Sequence, residues 1–169
     1  FMQFHPTTLY IAGGARLLIT EAMRGEGAVL KNHDRERFMP RYHADAELAP
    51  RDVVTRAIIS EIRRSGFPHV WLDATHLGRP FLEERFPAIV QTCTKLGIDI
   101  AREWMPVHPS AHYHCGGVLS DSRGSTTVRG LWVAGEVGCT GLHGANRLAS
   151  NSILEGLVVG IRAGNGAAA

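Results

Sequence analysis

Several absences narrow what this 169-residue sequence can be. No apolar run approaches the ~20 residues that a spanning helix needs, and no signal peptide is visible, so no membrane association is expected. Charge of one sign is scarce: 18 Lys and Arg stand against 16 Asp and Glu, a formal net charge of +2. That balance, with 44% hydrophobic residues, speaks against disorder and against a nucleic-acid-binding protein. Cysteine is sparse and odd in number (Cys93, Cys115, Cys139), with no Cys-x-x-Cys pair. This fits a reducing, cytoplasmic location better than a disulfide scaffold. No internal repeat is present. What is abundant is glycine, 19 residues, which implies tight turns and close backbone approaches.

The length suffices for one domain with a core, or for pieces of two. The chain opens on Phe1-Met-Gln-Phe-His5, already inside a patterned segment, and closes on Gly164-Asn-Gly-Ala-Ala-Ala169, which reads as a frayed tail. It is therefore read as an internal portion of a longer protein.

Local patterning divides the chain. Thr20-Glu21 opens a short helical turn ahead of a strand-like Ala28-Val-Leu30. Residues 50–66 form the clearest helix, with Val54, Ala57, Ile58 and Ile62 as one apolar stripe, Pro50 in the first turn and Gly66 as the C-terminal cap. Val70–Thr75 reads as a strand, and residues 81–86 and 88–96 as two short helices divided at Pro87. Leu131–Glu136 is a continuous apolar run expected to be a buried strand. Asn151–Arg162 is the final helix, with Gly156, Gly160 and Gly164 spaced for close packing on a sheet. The texture changes near residues 112–118, from a mixed α+β module to an α/β one.

Polar residues punctuate these apolar and glycine-rich segments at His5, Thr20, Glu21, Arg24, Arg51, His112, Glu136 and Arg147. Arg51 follows a proline at a helix start, where the dipole disfavours a cation; it is either a solvated charge or a group with an anionic partner. Arg147 sits among small residues, so the fold is expected to direct its head group. Two arginines and two histidines reaching one pocket would suit a dicarboxylate, because guanidinium groups grip carboxylates in a bidentate fork. His112-Tyr-His114-Cys115 has metal-ligand residue types but no second ligand pair nearby, so no metal is expected. His33, His43, His69, His76 and His108 lie in polar stretches and read as surface residues.

The most specific stretch is residues 138–155, Gly-Cys-Thr-Gly-Leu-His-Gly-Ala-Asn-Arg-Leu-Ala-Ser-Asn-Ser-Ile-Leu-Glu, a glycine-rich loop with His143 and Arg147 running straight into a helix. Glycines let a backbone approach a large cofactor, and a helix N-terminus offers free N–H groups and partial positive charge. With Phe4-His-Pro-Thr7, Leu18-Ile-Thr-Glu-Ala-Met-Arg-Gly-Glu-Gly27, Arg37-Phe-Met39, Leu48-Ala-Pro-Arg-Asp-Val-Val-Thr-Arg56, Ala111-His-Tyr-His-Cys-Gly-Gly117 and Gly135-Glu136, it resembles the succinate dehydrogenase/fumarate reductase flavoprotein family, in order and across nearly the whole chain. Ser110-Ala-His-Tyr-His-Cys-Gly-Gly117 and Asn146-Arg-Leu-Ala-Ser-Asn-Ser152 look like the branch that oxidises L-aspartate.

The resemblance implies an α+β capping domain with flanking segments over residues 1–115, followed by the returning C-terminal part of an α/β FAD-binding domain over 116–169. That fold is incomplete without an N-terminal nucleotide-binding half, and the Gly-rich ADP-binding fingerprint is indeed missing. The implied activity is FAD-dependent oxidation of L-aspartate to iminoaspartate, the first step of quinolinate and NAD biosynthesis, with hydride passing to flavin N5 and reoxidation by oxygen or fumarate. Arg51 matches the arginine that exchanges a proton with the substrate carbon, and Glu21 and Arg24 the pair that relays protons to it. His5, Thr20, Glu21, His112 and Arg147 match substrate-binding groups; Glu136, Asn151, Ser152 and Ile153 match FAD contacts. L-aspartate or fumarate is the implied small-molecule partner, and quinolinate synthase an implied recipient of product. Two alternatives stand beside this reading: a soluble fumarate reductase or succinate dehydrogenase flavoprotein, and a non-catalytic binding module.

Overall fold

A computed structural model describes residues 1–14 and 16–169. The chain divides into two compact units, one made of residues 5–110, the other of residues 1–4 and 111–169.

The 5–110 unit is built around a four-stranded sheet of β1 (Met2–Leu9), β2 (Val29–Lys31), β3 (Val70–Asp73) and β4 (Met105–His114), in the order β1-β4-β3-β2. β1 and β4 continue into the other unit along the chain. β3 runs antiparallel to both neighbours, pairing Leu30 with Leu72 and Val70 with Val107. Side chains alternate across a strand, so Leu30, Val70, Leu72, Met105 and Val107 all reach the core while Lys31 and Trp71 point the other way. The helices α1 (Glu21–Gly25), α2 (Arg51–Ser65), α3 (Arg79–Arg85) and α4 (Pro87–Lys95) complete the unit. Their buried residues include Met23, Val54, Ile58, Leu82 and Ile89.

α2 forms where its pattern predicts. Asp52 lies in its first turn and Arg63 and Arg64 in its last, each complementing the helix dipole. Gly66 ends it at φ 74, a left-handed conformation that costs a side chain about 1 kcal/mol or more. The stripe carries one residue that apolar periodicity does not select: Glu61 is 2% exposed, on the same face as Val54, Ala57 and Ile58. It is satisfied by Tyr42 Oη at 2.8 Å, Arg64 at 2.7 Å, Arg41 at 3.3 Å and Asn32 at 3.3 Å. α3 and α4 divide at Pro87, as expected.

The second unit holds a two-stranded parallel pair, β5 (Val118–Leu119) and β6 (Gly138–Cys139), and α5 (Asn151–Ala168). Gly117 adopts φ 140, and a Cβ there would lie 2.2 Å from the Val137 carbonyl oxygen. No side chain fits that approach. Three expectations fail in this unit. Residues 131–136 do not form a strand: a lone bridge joins Trp132 to Ser125, residues 135–137 turn into a 3-10 helix, and Leu131 is 43% exposed. Its bonds go to the short turn at 124–126, which the Val133 and Leu131 backbone meets at 2.9 and 3.3 Å, and that contact is too brief to extend into a strand. The supposed frayed tail is helical, so α5 extends through Ala168. Close packing falls on Gly166, where a Cβ would meet the Trp132 ring at 2.3 Å. Gly156 and Gly160 have ordinary room instead, and Gly164 faces open space.

His76 is exposed as expected, while His33 and His69 depart from expectation. His33 stacks on Phe67 with centroids 3.7 Å apart, and His69 packs edge-on to Trp71 at 4.7 Å with both ring nitrogens buried. Aromatic rings next to imidazole in strand and turn absorb what the sequence presents as surface. No helix among the described residues is long and apolar enough to cross a membrane.

Candidate active site

In the 5–110 unit, the starts of α1 and α2 carry the ionisable groups. Thr20 caps α1, its hydroxyl accepting the Ala22 N–H at 3.3 Å, and Glu21 follows as the first helical residue. Arg51 is the first residue of α2. Its Nε–H donates to Glu21 Oε2 at 2.5 Å, the anionic partner that a cation at a helix start needs. The Arg51 side chain is 11% exposed, and its Nη1 is buried without a partner. Glu21 stays 42% open to solvent. One end of this pair is sealed and the other reachable.

Arg24, one turn beyond Glu21, is 2% exposed. Its Nη1 donates a short hydrogen bond to the Glu47 carbonyl oxygen, while Nε and Nη2 find none. Burial pulls this guanidinium below its ordinary range; Glu21 counters that, Arg51 adds to it and Glu47 counters it. A buried cation short of partners is costly unless it serves something. Glu47, which the sequence reading did not single out, anchors the loop beneath: Arg37 grips it at 2.6 Å and the Leu30 N–H donates to it at 3.1 Å. His5 is buried in β1, with its Nδ1 accepting the Thr7 N–H at 3.3 Å.

The other unit assembles a second cluster around Arg147, which is 6% exposed. Its Nη1 donates to Ser152 Oγ at 3.2 Å and its Nη2 lies 3.0 Å from His112 Nε2. Arginine has no acceptor, so any hydrogen bond between the two runs from the guanidinium to the imidazole nitrogen. The Arg147 guanidinium sits 4.3 Å over the Tyr113 ring, and Gln3 Nε2 donates to the Arg147 carbonyl at 2.7 Å. His143, solitary in sequence, has Nε2 2.7 Å from Glu155 Oε2. The ring N–H is not aligned for a hydrogen bond to that oxygen. The contact is an ion pair when the ring is protonated and close packing of carboxylate against imidazole otherwise. Burial, with Glu155 and Glu136 adding, raises the Tyr113 phenol and keeps it neutral. Glu136 accepts the His114 N–H at 2.8 Å. Asn151, Ser152 and Ile153 form the first turn of α5.

Each unit thus gathers predicted residues: Thr20, Glu21, Arg24 and Arg51 in one, His112, Arg147 and Ser152 in the other. Tyr113 and Glu155 were not foreseen. Glu155 shares the buried face of Val159 and Ala163 on α5, a placement that a count of apolar residues does not select.

Comparison with known proteins places this geometry. The chain belongs to the FAD binding domain family of flavoproteins, whose model matches residues 1–153. Its solved neighbours include an E. coli quinol fumarate reductase, at a TM-score of 0.89 and 38% identity over 99% of this chain and 31% of that one. Within the family, the resemblance is to the L-aspartate oxidases. The chain is 54% identical to that of Acinetobacter baylyi over 163 residues, 96% of this chain and 30% of the relative. It is 55% identical to that of Streptomyces coelicolor over 161 residues, 94% of this chain and 28% of the relative. The chain therefore spans about 30% of the length of the curated relatives it matches.

FAD is the cofactor of this family, and the start of α5 fits it. Ser150 takes φ 66, no side chain caps the helix, and its first turn holds no acidic residue. Beside Gly141 and Gly144 a Cβ would meet nothing within 4 Å. An uncapped helix N-terminus next to open glycine backbone suits a flat, acceptor-rich group.

Proposed function

We propose that this chain is the capping domain and the returning part of the FAD-binding domain of an enzyme that oxidises L-aspartate to iminoaspartate. The capping domain corresponds to residues 1–115 with their flanking segments, and the FAD-binding part to residues 116–169. The apolar α5 face left open by Ile153, Leu154, Leu157 and Ile161 supports a longer parent chain, since a helix so exposed lacks its packing partners. By itself the chain would be inactive.

The observation that carries the reading is the Arg51–Glu21 contact with its sealed, half-unpaired guanidinium. Desaturating the Cα–N bond of aspartate requires removal of two electrons and two protons. When bound, FAD supplies the two-electron acceptor. The protein supplies proton traffic and grip. With the Cα hydrogen leaving as hydride, the proton left for the protein is the one on the amine nitrogen, and Arg51 is the group that holds or moves it beside the substrate carbon, through Nε shared with Glu21. Glu21, half open to solvent, passes it outward, with the buried Arg24 charge one turn further along α1. Coupling to Glu21 is what lets an arginine, ordinarily a poor acid or base, take part at all.

His5, Thr20, Glu21, His112 and Arg147 bind the substrate, with the buried Arg147 charge set for a carboxylate. Glu136, Asn151, Ser152 and Ile153 hold FAD, the α5 N-terminus favouring negative charge at the ring edge. A cytoplasmic location and onward delivery of the unstable imine to a quinolinate-forming enzyme belong to the same reading.

A fumarate reductase or succinate dehydrogenase is the second reading, favoured by the solved-structure match. Identity of 54% to an L-aspartate oxidase against 38% to the fumarate reductase supports the first. The test is to mix the full-length, FAD-loaded protein anaerobically with L-aspartate or succinate and follow flavin absorbance. Bleaching by L-aspartate is expected. Bleaching by succinate alone would move the protein to the dicarboxylate branch.

A further inference from the structure

We infer that Tyr113, His143 and Glu155 are positioning residues that hold Arg147 and His112 in register for a substrate carboxylate. This rests on the reading of Arg147 as a carboxylate-binding group.

An anion-binding arginine inside a protein faces conflicting needs. Its charge must be stabilised against burial, yet a carboxylate placed directly on it would compete with the substrate. Here the groups against the Arg147 guanidinium are the Ser152 hydroxyl, a His112 ring nitrogen and the face of Tyr113, none of them a carboxylate. Its Nε is buried without a partner. The negative charge stands one layer back. Glu155, 7% exposed, accepts a short hydrogen bond from the Thr140 hydroxyl and holds His143 at 2.7 Å. His143 meets the Tyr113 ring edge-on, with centroids 5.5 Å apart and planes at 87°. The same ring also carries the guanidinium over it, at 4.3 Å.

The cluster reads as a stack: carboxylate, imidazole, phenol ring, guanidinium. Each layer fixes the next through a different contact: carboxylate against imidazole at 2.7 Å, edge-to-face ring packing, then cation–π attraction, which is strongest where water is excluded. The Tyr113 hydroxyl contributes nothing to it, since that buried oxygen has no hydrogen-bond partner. The ring is what matters. Holding the guanidinium over Tyr113 keeps its two Nη groups on Ser152 and His112 and leaves its remaining donor capacity for a ligand.

The experiment uses the full-length protein loaded with FAD, and measures the dissociation constant of succinate by calorimetry together with kcat and KM for L-aspartate. Tyr113→Leu is expected to weaken succinate binding and raise KM about tenfold, with kcat changed less than about threefold. Tyr113→Phe, which keeps the ring, restores what Tyr113→Leu loses. His143→Gln and Glu155→Gln weaken succinate in the same direction and carry the test if Tyr113→Leu fails to fold. Unchanged succinate binding in Tyr113→Leu or in both of the other variants would overturn the proposal, as would Tyr113→Phe behaving like Tyr113→Leu. A wild-type protein that neither binds succinate nor oxidises L-aspartate would remove the underlying reading instead, and this inference with it.

Discussion

Arg51 Nε lies 2.5 Å from Glu21 Oε2, tying the first residue of α2 to the first residue of α1. The two are 30 residues apart in sequence. The contact places a carboxylate that solvent can reach against a guanidinium that solvent barely touches.

Proton transfer through this pair predicts a large kinetic effect from small changes. Arg51→Leu is expected to slow flavin bleaching by L-aspartate by roughly 100- to 10,000-fold, the usual span for general acid–base loss. Glu21→Gln keeps the hydrogen bond but not the charge, and slows it about 100-fold. Stopped-flow absorbance under anaerobic conditions measures both. Wild-type rates in Arg51→Leu would remove Arg51 from the chemistry.

Glu47 carries structure more than chemistry. It is 3% exposed and satisfies Arg37 and the Leu30 N–H. Glu47→Ala leaves a buried amide unpaired and is expected to cost about 1–3 kcal/mol. A urea unfolding midpoint that does not move would show that solvent takes over those bonds.

Acid should loosen the 5–110 unit. Burial works to raise the Glu61 carboxyl, but hydrogen bonds from Arg64, Tyr42 and Asn32 outweigh it and hold it below its ordinary range. Asp73 is likewise penalised by burial, yet held low by Lys31 and Thr75. A depressed native value means stability present above the unfolded value and lost as pH falls through the native one. Unfolding midpoints are expected to stay level from about pH 7 to 5 and to fall below about pH 4. Glu61→Gln should flatten part of that acid limb, and an unchanged limb would assign it elsewhere.

Gly66→Ala tests the end of α2. At φ 74 with open space around it, the penalty is conformational alone. About 1 kcal/mol of destabilisation is expected, seen as a lower melting temperature. No loss would mean that the cap relaxes.

How much of this could be read from residues alone follows the physics of each signal. α2 was legible because Val54, Ala57 and Ile58 repeat at helical spacing and Gly66 marks a stop. The Arg51–Glu21 contact was half legible: the helix dipole called for an anion at Arg51 but did not say which. Glu61 and Glu155 were not, because a pattern that counts apolar residues treats every acid as surface. Both lie on buried helix faces with partners drawn from other segments. Leu131–Glu136 misled for the opposite reason. A strand depends on neighbours as well as on its own residues.

Gln3 and Arg147 meet through a hydrogen bond of 2.7 Å across 144 positions. At a ribosome adding roughly 5–20 residues per second, β1 would wait about seven to thirty seconds for its partner to emerge. Residues 5–110 hold all their core residues within that span and close sooner, once β4 emerges to meet β1. Synthesis would therefore deliver the cluster bearing Arg51 before the cluster bearing Arg147.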